Sequence, residues 1–175
     1  MDTCFQSDMS LPECMAIAPV HRLEAVQDFL HTARQQMFGT LVDPQQIPAD
    51  LQHFEQVYAA GTGCMWAARH PQHGMVGSIA YRAYDGRFAQ LDFGALRVVE
   101  VVRLFVAPVW RRQGLAVALL DHVRQHAIAQ GVQVLYLHTH PFLPGALEFW
   151  QQQGFQVVQR ETAAPWHTIH MQCAL

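Results

Sequence analysis

Three groups of residues in this sequence have types and spacings suited to chemistry. The first is RRQGLA, Arg111 to Ala116, where a β-branched run ends at a proline, two arginines precede a glycine, and an apolar helix begins. A strand that turns through glycine into a helix exposes backbone N–H groups at the positive end of the helix dipole, a corner that binds anions such as phosphate. Gly114 allows the close backbone approach that a side chain would block, and Arg111 and Arg112 add positive charge. Taken alone, the glycine serves a structural turn equally well. The GKS or GKT ending of a P-loop is absent, and no GxGxxG fingerprint follows the strand. The second group is Glu100, which interrupts the apolar run VVEVVRLFV. An ionised carboxylate there must be paired or have its pKa raised, and a raised pKa suits a general base. The competing reading pairs it with Arg103 or Arg97. The third group is the histidines. His138 and His140 share one strand face at i and i+2, as do His167 and, less cleanly, His170, but no clear third ligand accompanies them, so no metal is expected.

The elements that must position these groups follow from periodicity. Cys14 to Val20 reads as a strand, and Leu23, Val26, Leu30, Ala33 and Met37 recur at helical spacing. PADLQHFEQVYAAG reads as a second helix, with Pro48 near its start and Gly61 past its end. Cys64 to Arg69 and Met75 to Tyr84 form an expected hairpin across HPQHG. VVEVVRLFV is too apolar for an exposed edge, so it belongs in the middle of a sheet. A helix over 114–130 and the strand VQVLYLHTH complete a βαβ unit. PGALEFWQQQGF is a short helix, and FQVVQR and HTIHMQCAL are two last strands. The expected class is α/β (α+β), with 175 residues in one domain.

Composition narrows the partners. A net charge of -3 with 14% charged residues argues against capture of nucleic acid. No apolar run is long enough for a membrane span and no signal peptide is written, so a cytoplasmic protein is expected. Cys4, Cys14, Cys64 and Cys173 form no CxxC pair and are expected to be reduced thiols.

Residues 98–160 then resemble the acetyl-CoA-binding core of the GNAT N-acetyltransferases. The strand, its VxP step and a Q/RxxGxG/A loop stand here as VEVVRLFVAPVWRRQGLAVALL, with Arg111, Gly114 and Ala116 in the loop. LYLHTHPFLPGALEFWQQQGF supplies the matching Thr139, Ala146, Gly154 and Phe155. The first 95 residues agree only in the order of their elements. The resemblance implies a mixed, mostly antiparallel sheet of six or seven strands with splayed central strands and about four helices. It implies that the backbone of Leu104, Phe105 and Val106 meets the acetyl group and pantetheine. Arg111, Arg112, Gln113, Gly114, Leu115, Ala116 and Val117 would then cradle the pyrophosphate.

By the same resemblance, the N–H of Leu104 serves the oxyanion of acyl transfer and Glu100 is the general base. Two positions depart from the pattern. Trp150 stands where a tyrosine acid is common, and Leu143 where an asparagine is. The leaving thiolate then departs unaided, or His138, His140 or Tyr136 donates its proton. Phe38, Tyr84, Phe88, Leu91 and Phe93 with Asp85 and Asp92 hint at an apolar pocket with a carboxylate for a small cationic amine. The expected partners are acetyl-CoA and a small-molecule amine. Dimers are common among such proteins, so pairing of two copies is compatible with the resemblance. A noncatalytic acyl-CoA-binding module is the alternative.

Overall fold

The computed structural model describes residues 15–59 and 63–175, so Cys4, Cys14 and Gly61 lie outside the described residues. Among these described residues, seven strands form one sheet in the order β1-β2-β3-β4-β5-β7-β6. They are β1 (Ala16–Pro19), β2 (Cys64–His70), β3 (Gly74–Ala83), β4 (Val98–Val106), β5 (Val134–Thr139), β6 (Gln156–Arg160) and β7 (Ile169–Ala174). The β4 and β5 pair is parallel and every other pair antiparallel, which matches the mixed sheet the sequence leads one to expect.

Strand parity sorts the two faces of this sheet. Val99 and Val101 of β4 and Leu135 and Leu137 of β5 join the core beneath α3 (Leu115–Ala129), whose stripe Leu115, Leu119, Val123 and Ala127 is fully or almost fully buried. The helix sits close on β3 because Gly77 has no side chain: a Cβ there would lie 3.1 Å from Cδ1 of Leu119. The opposite face carries a second core, in which Leu30 of α1 (Gln27–Phe38) and Leu51 of α2 (Ala49–Gln52) pack on Met65, Ala67 and Ala80. A fourth helix, α4 (Ala146–Gln152), follows β5.

The second helix departs from expectation. It is helical only over Ala49–Gln52, leaves helical dihedrals at His53 and resumes as a wide π turn over Glu55–Ala59. The wider turn keeps Leu51, Phe54 and Tyr58 together in the second core.

Candidate functional site

Two irregularities of β4 open the site. Ser78 pairs with Phe105 and Ala80 with Val102, so Arg103 and Leu104 stand opposite the single residue Ile79, a β-bulge. On its other edge, β4 pairs with β5 only as far as Glu100 and Tyr136. Beyond that point the strands part around a cavity of about 580 Å3. Leu104, Phe105, Val106, Arg111 and Ala116 line it from the β4 and α3 side, and His138 and Thr139 of β5 and the following His140 from the other. Glu100, Arg112, Gln113, Gly114, Leu115 and Val117 do not line it.

The bulge is held from several directions. Arg103 has φ 59°, a left-handed conformation that costs a non-glycine residue roughly 1–2 kcal/mol. Its guanidinium donates to both oxygens of buried Asp50, at 2.8 and 2.6 Å, and its carbonyl accepts from Oγ of buried Ser78 at 2.8 Å. The Tyr58 hydroxyl donates to the same carboxylate. Burial alone would raise the pKa of Asp50, but the bonds and charge of Arg103 outweigh it and hold the carboxyl below its ordinary value. α2 is thereby tied to the bulge, and with it to the Leu104 backbone.

Glu100 is fully buried, and its expected surroundings need correction. Its partners are not Arg103 or Arg97. They are Nε of Arg82 at 2.9 Å and the forked guanidinium of Arg87, which also binds Asp85. Nδ1 of His138 approaches Oε1 of Glu100 at 3.1 Å, off the line of a straight hydrogen bond. Burial pushes the carboxyl up, yet His138 and the two arginines together drive it well below the ordinary carboxylate range. The raised pKa expected of a base is therefore not what these neighbours produce. Glu100 is thus an anion beside His138, which lines the cavity.

The glycine turn has the expected form. Gly114 takes φ 78° immediately before α3. Arg112, exposed, is also left-handed at 62°. Arg111 turns back toward the strand: its Nε donates to the Val106 carbonyl at 2.9 Å, and its guanidinium lies 5.5 Å from the Phe105 ring centre. Leu115 is core rather than loop. Trp150 belongs to the α3 core and, with Leu143 and Ala146, lines the cavity.

Other expected site residues are placed elsewhere. Tyr84, Phe88 and Phe93 pack on Tyr136, away from the cavity. Tyr136 itself is buried, and its hydroxyl meets Nδ1 of His170 at 2.8 Å, so it does not serve as the acid in the cavity. Among the described residues, no group of three or more His, Cys, Asp or Glu is arranged to hold a metal. Cys64 and Cys173 carry free thiols, and burial pushes the Cys64 thiol up to about 11.

A model of the acetyltransferase (GNAT) family matches residues 26–155. Human N-acetyltransferase 8 is 29% identical over 132 residues, which are 69% of this chain and 54% of that protein. The chloroplastic GCN5-related N-acetyltransferase 6 of Arabidopsis thaliana is 35% identical over 66 residues, 38% of this chain and 23% of that one. The matches thus span about half or less of these curated relatives. A GNAT-family acetyltransferase crystal structure from Staphylococcus aureus Mu50 superposes with a TM-score of 0.74 at 21% identity, covering 93% of this chain and 99% of that one. Arabidopsis thaliana NAA60 in complex with acetyl-CoA gives a TM-score of 0.65 at 17% identity, covering 92% and 97%.

Proposed function

The chain belongs to the acetyltransferase (GNAT) family, and from that membership we propose that it transfers an acetyl group from acetyl-CoA directly to the primary amine of a small molecule. The observation that carries the proposal is the cavity between the parted β4 and β5, with His138 on its wall and the Glu100 carboxylate behind it.

Acetyl-CoA, as substrate, supplies an activated thioester acyl group. The Gly114 turn and the start of α3 offer backbone N–H groups to its pyrophosphate, with Arg112 exposed beside them. In this reading the N–H of Leu104, which stands in the bulge, donates to the acyl oxygen as negative charge develops. An alkyl ammonium, with a pKa near 10, must lose a proton before it attacks. Nε2 of His138 takes that proton while the Glu100 carboxylate, 3.1 Å from Nδ1, offsets its positive charge. As the C–N bond forms, the C–S bond breaks and the thiolate leaves. Thr139 is the sole hydroxyl, and no cysteine stands, among the described residues of the cavity wall, which favours direct attack over an acyl-enzyme route. We place the protein in the cytoplasm as part of the same reading.

Excess acetyl-CoA should raise the unfolding temperature, by about 2.7 kcal/mol of stabilisation at one hundred times Kd, whereas ATP at the same concentration should do far less. Gly114→Val should lower that shift, since the turn then carries a β-branched residue at φ 78°. Equal shifts with both ligands, or none with either, would make RRQGLA a structural turn and remove the acetyl-transfer reading.

A further inference from the structure

We infer that the acceptor is a primary amine carried on a flat aromatic group, or one of similar apolar breadth, and bearing no second positive charge. This rests on the acetyl-transfer reading of the cavity and narrows it.

Four rings from separate parts of the chain meet beside the base. Phe38 closes α1, His140 follows β5, Phe142 precedes α4, and Trp166 lies between β6 and β7. Phe38 sits edge-on to His140, Phe142 and Trp166, with ring centres 6.1, 6.2 and 6.0 Å away. His140 and Phe142 stack at 5.1 Å with an angle of 2° between their planes. Phe38, His140 and Phe142 line the cavity. The His140 ring centre is 5.7 Å from that of His138, so the aromatic wall and the base are neighbours. Burial keeps His140 on the neutral side, and its Nδ1 lies 3.0 Å from the Trp166 carbonyl. The wall is therefore broad, uncharged and held in place from two directions.

Charge excludes the rival acceptors. No Asp or Glu is among the described residues that line the cavity, and its two arginines are already committed, Arg103 to Asp50 and Arg111 to the Val106 carbonyl. Asp85, expected as a substrate carboxylate, is exposed and bound to Arg87, and Asp92 caps the Gly94 amide. A diamine or polyamine would bring its second ammonium against this wall with no counter-charge, at a desolvation cost. An aromatic group gains edge and face contacts there instead.

The test is a comparison of kcat/KM, read as CoA release, for 2-phenylethylamine, propylamine, putrescine and a lysine-containing peptide. The phenyl compound should lead propylamine by about tenfold or more, the discrimination that apolar pocket contacts supply, with putrescine and the peptide lower still. Phe142→Leu should narrow the gap between the first two amines. Putrescine or the peptide matching 2-phenylethylamine would overturn the inference, and so would a gap that Phe142→Leu leaves unchanged. Failure of all four amines while acetyl-CoA still raises the unfolding temperature would overturn it without touching acetyl-CoA binding. Loss of that thermal shift would instead remove the acetyl-transfer reading beneath it.

Discussion

Asp50→Ala should be the most destabilising single change at the site, lowering stability by roughly 3–5 kcal/mol because it leaves a buried guanidinium without its counter-ion. At roughly 2–4 °C per kcal/mol for a chain of this size, the unfolding temperature falls by about 6–20 °C. Arg103 loses both of its side-chain bonds to Asp50, and the Tyr58 hydroxyl loses its acceptor. Replacing the whole cluster with Asp50→Leu, Arg103→Met and Tyr58→Phe should restore most of the loss, since exchanging a buried ion pair for packed apolar groups is often neutral. Turnover should not return with stability. The residue at position 103 would still sit at φ 59°, now without the guanidinium anchor that holds the bulge and the Leu104 amide. The check is thermal unfolding and kcat on the same samples; a triple variant with full turnover would reduce the clamp to a matter of stability. The pH dependence has a definite sign. Asp50 and Glu100 are both depressed, so their contribution is whole above the ordinary values of 3.8 and 4.5 and is lost as pH falls toward the lowered ones.

His138→Gln should lower kcat about 10²–10⁴-fold, the usual contribution of a positioned base, and leave the acetyl-CoA thermal shift in place. Glu100→Gln should lower kcat less, because the imidazole remains and loses only the neighbouring negative charge. It should also destabilise the protein, since Arg82 and Arg87 lose an anionic partner that is fully buried. Side-by-side kcat values decide between the two assignments. A near-normal His138→Gln beside a crippled Glu100→Gln would return the role of base to Glu100.

Much of this was written in local patterns. The order of strands and helices follows from periods of 2 and 3.6, and the Gly114 turn from the abrupt change between them. The pairing of Glu100 was hidden because Arg87 lies in DGRFAQLDFGAL, a segment with no period to say which way a side chain points. Arg103 misled for a physical reason. In a regular strand it would face the α3 side, but the bulge and φ 59° turn it to Asp50, 53 residues earlier in the chain. The aromatic wall joins the end of α1 to three residues of connecting segments, and such a meeting leaves no trace in local spacing. His138 was visible as one of two histidines on a strand. Its approach to Glu100 is the observation behind the role of base proposed for it.

The most direct test of acetyl transfer is to mix the protein with acetyl-CoA labelled in the acetyl group and a pool of 2-phenylethylamine, propylamine and putrescine. Mass spectrometry then follows the label on amines and on protein. Direct transfer yields labelled N-acetyl amine together with an equal amount of CoA, and leaves the protein unlabelled when the amines are left out. Label that accumulates on the protein in place of the amines would contradict direct transfer in this cavity.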